Sequence, residues 1–136
     1  MDKDFLLDIV TPYGLLVHSK VEEAYIPGSR GDFCVLRGHA PFFTSLRIGE
    51  LWYSRDKKIH FVAINHGFAE VTPFKTTILT DTAEPAEAID LERARSSMAR
   101  VEERLKTLPK DDPIYPQEIE ALERAKLRIR VAQKAS

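Results

Sequence analysis

PGSRGDFCVLRGHAPFFTSLRIGEL, residues 27–51, carries glycine or proline at six positions: 27, 28, 31, 38, 41 and 49. Short apolar runs lie between them, among them Phe33–Leu36 and Phe42–Phe43. Glycine adopts backbone conformations that other residues avoid, and proline restricts φ and lacks an amide donor. Such frequent interruption predicts short strands joined by tight turns, and therefore an all-β module in this part of the chain.

The chain has 136 residues and a formal net charge of −1 at pH 7. That length suits one domain, or one small domain with an appendage. A charge so near zero provides no global attraction to nucleic acid or to an anionic membrane surface. The N-terminus, MDKDFLLDIVTPYG, is acidic and lacks the basic-then-apolar pattern of a signal peptide, and no apolar run approaches the roughly 20 residues that span a bilayer. We therefore expect a soluble protein that reaches a membrane only through a protein partner.

The first part of the chain contains runs with the composition of strands. Two pairs of runs flank short turns, at residues 55–58 and 72–75, and these pairs predict β-hairpins. Short strands at such close spacing indicate a β-sandwich or a flattened barrel. The strands that flank these turns are Leu51–Ser54, Ile59–Ile64, Phe68–Val71 and Thr76–Leu79, and two further strands are predicted at Phe5–Val10 and Val21–Ile26.

Beyond Glu84 the composition changes, because glycine is absent and alanine, glutamate, arginine and leucine dominate. These residues are good helix formers. Asp90 suits the N-cap of a first helix, Pro109 ends that helix, and Pro116 suits the first turn of a second. Each predicted helix has one apolar stripe: Ala94, Met98, Val101 and Leu105 on the first, and Ile119, Leu122, Ala125, Ile129 and Ala132 on the second.

We therefore predict an α+β protein in which an N-terminal all-β sandwich, or flattened barrel, is followed by a C-terminal antiparallel two-helix hairpin. The sandwich is assigned to residues 1–84 and the hairpin to residues 85–136. Both helical stripes are narrow and rich in alanine, and isolated helices of this length are marginally stable. The hairpin is therefore expected to dock on another surface or to change shape.

The order of residues in the chain resembles the epsilon subunit of the F-type ATP synthase. The resemblance covers nearly the whole sequence. It is carried by Pro27-Gly28, Gly31, Leu36, His39-Ala40-Pro41, Thr44, Leu46, Gly49, Leu51, Gly67-Phe68-Ala69-Glu70-Val71, Asp81-Thr82-Ala83-Glu84 and Ile89-Asp90-Leu91-Glu92-Arg93-Ala94.

This resemblance implies a non-catalytic rotor subunit of a bacterial, proton-translocating complex. The sandwich would bind the gamma subunit and the c-ring, so that both rotate as one body. The hairpin would permit rotation when folded down and inhibit ATP hydrolysis when extended. The subunit would then be peripheral, at the cytoplasmic face of the bacterial inner membrane, and would need no cofactor for its mechanical role.

Two residues are expected at the rotor contact on this resemblance. Asp32 lies in a loop that, in the family, rests against the polar loops of the c-ring, although Arg30 occupies a position that is often acidic in relatives. His39, between Gly38 and Ala40, is a contact to the ring or gamma, a proton carrier, or a turn histidine that bonds neighbouring backbone. The tripeptide Arg30-Gly31-Asp32 needs no adhesion role, because turns favour these residues.

An ATP site is the second expectation from the resemblance. In some bacterial members a motif matching Ile89-Asp90-x-x-Arg93-Ala94, together with arginines of the second helix, binds ATP and holds the hairpin folded. Arg124 and Arg128 are four residues apart, so they share a helix face and can face Arg93 in a closed hairpin. Converging guanidiniums repel unless an anion lies between them. The expected set is Glu84, Ile89, Asp90, Arg93, Ala94, Arg124 and Arg128; the plainer interpretation is a helix cap and a solvated face.

The remaining polar residues indicate no catalytic or metal chemistry. No Gly-rich phosphate loop is present, so an ATP site would not be hydrolytic. The histidines, at 18, 39, 60 and 66, lack metal-ligand spacing, and the single cysteine, Cys34, is predicted to be a buried, inert thiol.

The end of the chain is basic, through Arg124, Lys126, Arg128, Arg130 and Lys134. These cations either complement a helix C-terminus or, by resemblance, dock on an acidic region of the catalytic beta subunit.

Two other classes of function stay open at this point. The chain could be a free-standing ATP-sensing module, or a β-sandwich adhesion or scaffold domain. Co-purification with gamma separates these classes from a stalk subunit.

Overall fold

The structure, a computed structural model, describes residues 3–135. An N-terminal sandwich of eight strands is followed by two helices, which confirms the predicted fold class. The strands are β1 Phe5–Thr11, β2 Gly14–Val21, β3 Glu23–Ile26, β4 Phe33–Val35, β5 Phe42–Leu46, β6 Gly49–Arg55, β7 Lys58–Thr72 and β8 Lys75–Pro85. A 3-10 turn, Ala86–Ala88, leads to the helices α1 Leu91–Thr107 and α2 Tyr115–Ala132.

The strands form one sheet, in the order β2-β1-β8-β7-β6-β3-β4, that folds over itself around a single core. β1 and β8 are parallel, and the other pairs are antiparallel. β7 is 15 residues long and belongs to both layers. Its first part, from residue 58 to 64, pairs with β6, and its second part, from 67 to 71, pairs with β5.

β7 passes from one layer to the other at His66 and Gly67, where φ is 54° and 132°. A side chain at position 67 is excluded, because an added Cβ would lie 1.8 Å from the carbonyl oxygen of Leu79. The bend is a means by which one strand serves two packed layers. His66 is the non-glycine residue of this pair, and its ring contacts the hairpin, as described below.

The structure contains both predicted β-hairpins, and each has a turn with fewer residues than the sequence indicated. β6 and β7 pair up to Arg55 and Lys58, so the turn is Asp56-Lys57, with φ of 53° and 63°. Two successive positive φ values match a type I′ turn, whose twist suits paired strands. Strand β2 was not predicted. It is an edge strand with mostly exposed residues, and a bulge opposite β1 interrupts its alternation.

The main core lies between the two layers of the sandwich and contains large aliphatic side chains from all eight strands. A second, smaller cluster joins the sandwich to the hairpin. Its buried members are Ile48, Ala63, Ala86, Ile89, Ala94, Leu127 and Val131. Burial of one large aliphatic side chain contributes about 1.5–3 kcal/mol. This second cluster therefore supplies the apolar part of hairpin docking.

The helix boundaries follow the capping residues that the sequence indicated. Asp90 is the N-cap of α1, and its Oδ1 accepts a hydrogen bond of 3.1 Å from the amide of Arg93. α1 ends before Pro109, and Pro116 lies in the first turn of α2. The predicted stripe on α2 was incomplete, because Leu127 and Val131 are buried beside Ala125. α2 packs on two sides, against α1 and against the sandwich, so a single-stripe prediction missed one face.

Candidate functional site

Polar contacts hold the hairpin against the sandwich at three places. Arg128 donates through Nε and Nη2 to the two carboxylate oxygens of Glu84, at 2.8 and 3.1 Å. His66 Nε2 lies 2.6 Å from Glu120 Oε1. Each pair joins a strand residue to an α2 residue, so the hairpin is docked in this structure.

The third contact involves the last turn beyond α2. Lys134 Nζ donates to Glu50 Oε1 at 2.6 Å and lies 4.9 Å from the centre of the Phe61 ring. A cation over an aromatic face is attracted by the ring quadrupole. Together with the second apolar cluster, this contact fixes the end of α2 on strands β6 and β7.

A cleft of about 650 Å³ lies between the hairpin and the sandwich. Four guanidiniums line it, from Arg100 and Arg104 on α1 and from Arg124 and Arg128 on α2, and we call it the arginine cleft. Its other lining residues are mainly small or apolar. They are Thr11, Tyr13, Leu16, Ala63, Ile64, Asn65, Thr82, Ala83, Glu84, Ser97, Val101, Ala121, Ala125 and Leu127.

The four guanidiniums differ in how well they are neutralised. Arg104 Nε donates to Glu118 at 2.9 Å, whereas Arg124 Nη1 lies 3.7 Å from Glu120, beyond hydrogen-bond distance. Among residues 3–135, Arg100 has no carboxylate partner and donates to Ser97 Oγ at 3.1 Å. The cleft therefore keeps unneutralised positive charge beside an apolar wall. That combination suits an anion with an apolar body.

The structure brings together only part of the predicted ATP set. Glu84, Arg124 and Arg128 line the cleft, but Ile89, Asp90, Arg93 and Ala94 do not. Ile89 and Ala94 are buried in the second apolar cluster, Asp90 caps α1, and Arg93 is exposed.

Sequence reasoning missed two of the cleft arginines, Arg100 and Arg104. Arg100 lies seven residues after Arg93, and Arg104 lies four residues after Arg100, which are spacings of one helix face. That periodicity was the available signal. Which part of the helix face meets the sandwich depends on how the hairpin docks, and helix periodicity does not contain that information.

Asp32 is paired within the chain. Arg47 Nη2 donates to both oxygens of Asp32, at 2.6 and 2.7 Å, and the Asp32 side chain is 24% exposed. The hydroxyl of Tyr25 donates to the same carboxylate at 3.3 Å. No pattern in the sequence indicated Arg47 as the partner, which is 15 residues away. Any contact made by this loop is therefore made by an ion pair and not by a lone carboxylate.

His39 has the geometry of a turn histidine. Its Nδ1 lies 2.7 Å from the carbonyl oxygen of Ala40. Its ring centre is 6.4 Å from that of Phe33 and 6.5 Å from that of Phe42. The ring therefore belongs to a small aromatic group at the exposed loop after β4.

Cys34 is exposed, so the prediction of a buried thiol is wrong. The apolar run that contains it is strand β4, and alternation along β4 turns Cys34 outward while Val35 points into the core. Its Sγ donates to Glu23 Oε1 at 3.2 Å. Desolvation, and then the Glu23 carboxylate, raise the pKa of Cys34 to about 11.

Glu23→Gln should make the Cys34 thiol more reactive. With a pKa of about 11, roughly one thiol in a thousand is ionised at pH 8, and only the thiolate is alkylated. Removing the Glu23 charge lowers the pKa, because an adjacent carboxylate disfavours the thiolate. We expect alkylation by iodoacetamide to be about tenfold faster, since one pKa unit changes the thiolate fraction tenfold.

The matched control for this experiment is Glu22→Gln. It makes the same charge change one residue away, where the carboxylate accepts from the Lys57 amide instead. Equal alkylation rates in Glu23→Gln and Glu22→Gln would contradict the pairing of Cys34 with Glu23.

A row of apolar side chains crosses the outer face of the sandwich. Phe68, Leu79, Val10 and Leu15 stand opposite one another on β7, β8, β1 and β2. Phe43 of β5 stacks on Phe68 with a centroid distance of 5.6 Å. Phe43, Phe68, Leu79 and Leu15 are exposed. We call this row the apolar stripe. Contiguous exposed apolar patches are typical of surfaces that bind a protein, a membrane or a ligand.

Comparisons with known proteins match two family domains that together cover nearly the whole chain. The family described as ATP synthase, Delta/Epsilon chain, beta-sandwich domain, matches residues 4–86. The family described as ATP synthase, Delta/Epsilon chain, long alpha-helix domain, matches residues 87–133. Within residues 3–135, no helix is long and apolar enough to cross a membrane.

Full-length relatives bear the name ATP synthase epsilon chain. The Geobacter sulfurreducens protein is 46% identical over 136 residues, covering 100% of this chain and 99% of its own. The Geobacter metallireducens protein is 44% identical with the same coverage.

Two solved structures have chains of similar fold. One is a chain of the Euglena gracilis mitochondrial ATP synthase, with a TM-score of 0.81, 25% identity, and coverage of 98% of this chain and 83% of that chain. The other belongs to the central stalk and c-ring of the Tetrahymena thermophila mitochondrial ATP synthase. Its TM-score is 0.55 at 11% identity, with coverage of 96% and 94%, and it shows the fold alone.

Proposed function

The chain belongs to the epsilon-subunit family of F-type ATP synthases, and from that premise we propose that it is a non-catalytic coupling subunit between gamma and the c-ring. The observation that carries this proposal is the apolar stripe. Full-length similarity to epsilon chains favours this role over a free-standing ATP sensor or an adhesion domain. The proposal places the protein at the cytoplasmic face of the bacterial inner membrane, held there by the complex.

The apolar stripe is the surface we assign to gamma. It runs across five strands, β5, β7, β8, β1 and β2, so it presents a face held in place by backbone pairing. A face that must transmit rotation has to resist shear, and a packed sheet deforms less than a loop. The exposed rings of Phe43 and Phe68 provide aromatic anchors of the type enriched in the centres of interfaces.

The c-ring contact is assigned to the loop that contains Asp32. Its Arg47–Asp32 pair is bidentate, and this geometry holds the loop in one position. Arg30, in the same loop, is exposed, so the loop presents a cation as well as the ion pair. His39 belongs to this proposal as a neighbour in the exposed loop after β4.

The hairpin is proposed to be a regulatory element that is folded down in this structure. Release from the sandwich would free Arg128 and Lys134 from their carboxylate partners Glu84 and Glu50. Lys126 and Arg130 are already exposed. A released α2 would therefore present a more strongly basic face, suited to an acidic region of the catalytic beta subunit, and in that position it would inhibit ATP hydrolysis.

The arginine cleft is proposed to bind regulatory ATP. Its volume, about 650 Å³, is within the usual range of about 300–1,000 Å³ for small-ligand sites. Arg100, Arg104 and Arg124 would hold the phosphates, and the apolar wall near Leu16 would contact the base. Because the cleft has one wall in the sandwich and one in the hairpin, a ligand that contacts both favours the docked state by its difference in affinity between the states.

Leu79→Glu tests the assignment of the stripe to gamma. Leu79 is 50% exposed, so the substitution leaves the fold intact but places a charge in the centre of the proposed interface. A loss of at least about 2 kcal/mol, or roughly thirtyfold in affinity for gamma, is expected for a central interface position. Binding of purified gamma to the immobilised full chain measures it.

Ile59→Glu is the matched control for this test. Ile59 is 48% exposed, comparable to Leu79, but lies near the turn between β6 and β7 and outside the stripe. It should bind gamma like the wild type. If Leu79→Glu also binds like the wild type, the stripe is not the gamma surface.

A further inference from the structure

The contact between Arg128 and Glu84 has consequences for any anion in the cleft. The Arg128 guanidinium presents Nε and Nη2 to the two oxygens of one carboxylate, at 2.8 and 3.1 Å. This is the fork arrangement that arginine also uses for phosphate. Both donors of that edge are therefore occupied by a group of the chain itself. A phosphate in the cleft would meet the same two donors only after Glu84 leaves.

Glu84 and Arg128 belong to different parts of the molecule. Glu84 is near the end of β8, and Arg128 is on α2, 44 residues later. Both side chains are partly buried, at 34% and 25% exposure, so screening by water is incomplete. The pair therefore performs two tasks at once: it ties the hairpin to the sandwich and neutralises one wall of the cleft.

Arg124 offers a comparison within the same cleft. Its nearest carboxylate oxygen, on Glu120, is 3.7 Å away and already lies 2.6 Å from His66 Nε2. Glu120 is thus engaged mainly by the sandwich, and Arg124 keeps its hydrogen-bond donors available. Of the two α2 arginines in the cleft, Arg128 is occupied and Arg124 is open.

We propose that Glu84 acts as an internal counter-anion, which holds the hairpin docked without a ligand and competes with phosphate groups for Arg128. The inference rests on the proposed ATP site and states how that site is regulated. Glu84 is therefore a competitor of the nucleotide's phosphates at Arg128. It occupies the position of a phosphate, and this lowers the affinity of the cleft for ATP.

The experiment uses the full chain and compares the wild type with Glu84→Gln. Calorimetric titration with ATP measures affinity, and inorganic triphosphate in a parallel titration separates phosphate binding from recognition of the base. Glu84→Gln should bind both about tenfold more tightly than the wild type, a change equivalent to about 1.4 kcal/mol. Glutamine keeps the size of the side chain and removes the charge that fills the fork.

Glu70→Gln is the control for the change in net charge. Glu70 is exposed on the outer face of β7, outside the cleft lining, and its variant should bind ATP within about twofold of the wild type. The double variant Glu84→Gln/Arg128→Ala should lose the tenfold gain, because the gain depends on the freed guanidinium. If the double variant still bound ATP tenfold more tightly than the wild type, the proposed competition between Glu84 and phosphate for Arg128 would be wrong.

Hydrogen exchange without ligand measures the docking role separately. In Glu84→Gln, the amides of α2 should exchange about tenfold faster than in the wild type, and ATP should restore their protection. Exchange rates equal to those of the wild type would overturn the docking role.

Two further outcomes separate this inference from the proposed function. Equal affinity in Glu84→Gln and wild type, or no heat of binding in any variant at millimolar ATP, overturns the inference and leaves the coupling role intact. Failure of the Leu79→Glu test overturns the gamma assignment and leaves the competition at Arg128 intact.

Discussion

Gly67→Ala is expected to destabilise the fold severely. The added Cβ would lie 1.8 Å from the carbonyl oxygen of Leu79 and 2.8 Å from the Cα of Thr80, both in the backbone of β8. Backbone atoms of a central strand cannot move away without breaking the β7–β8 pairing. In addition, φ at position 67 is 132°, a backbone conformation that residues other than glycine rarely adopt.

We expect a loss of at least about 4 kcal/mol, which is a large share of the roughly 5–15 kcal/mol that stabilise an ordinary domain. Urea unfolding followed by circular dichroism measures it, or the yield of soluble protein if the variant does not fold. The size of the effect reflects the position of Gly67 at the bend where β7 changes layers. No neighbouring side chain can compensate by repacking, because the obstacle is main chain.

Gly14→Ala provides a closely matched control. Its φ is 125°, but an added Cβ would have no atom within 4 Å. This variant therefore reports the cost of the backbone conformation alone, about 1–2 kcal/mol. The difference between the two variants is the cost of the overlap with β8. Equal losses in the two variants would contradict the close approach of β7 and β8 at Gly67.

Leu127→Ala is expected to detach the hairpin while the sandwich stays folded. Leu127 is 4% exposed and packs in the second apolar cluster beside Ile48 and Ala63. Removing a buried leucine side chain costs about 2–5 kcal/mol. The cluster has few large members, so this loss is a large share of the docking free energy. The main core contains no hairpin residue and should not be affected.

Hydrogen exchange resolves the two parts of the molecule in this variant. Amides of α2 should lose protection, and amides of β8 should keep it. Ile114→Ala is the control, because Ile114 is 45% exposed and precedes α2 outside the cluster. If the hairpin of Leu127→Ala stays as protected as in the wild type, the polar contacts at Glu84, Glu120 and Glu50 are sufficient for docking.

The same variant bears on the proposed regulation. When Leu127→Ala is assembled into the synthase complex, the extended hairpin should be more populated, and ATP hydrolysis should be more strongly inhibited than with the wild-type subunit. An unchanged hydrolysis rate with a detached hairpin would separate docking from inhibition.

Features that depend on a few consecutive residues were predicted from the sequence. The Asp90 cap, the stop at Pro109 and the start at Pro116 are local, because capping groups act on amides within one turn. The two hairpins were predicted for the same reason, since a turn and its flanking strands are adjacent in the chain. The family resemblance also belongs to this level, because it needs only the order of residues.

Features that join distant residues were not predicted. The Arg47–Asp32 pair, the row from Phe68 to Leu15 and the outward side of Cys34 all depend on strand register. Register determines which side chains share a face, and a shift of one residue reverses that face. Composition and periodicity of one strand do not define its partner on another.

The candidate site also combines features that were predicted from local sequence and features that depend on tertiary contacts. Local helix spacing placed Arg124 and Arg128 on one face, and both line the cleft. Docking of the hairpin on β7 added Arg100 and Arg104, left Arg93 outside, and set Glu84 against Arg128. The chain order alone therefore determined most of the strands, both helices and the family. The packing of α2 on the sandwich selected the residues that meet in the cleft, because contacts between distant segments arise only when both are folded and docked.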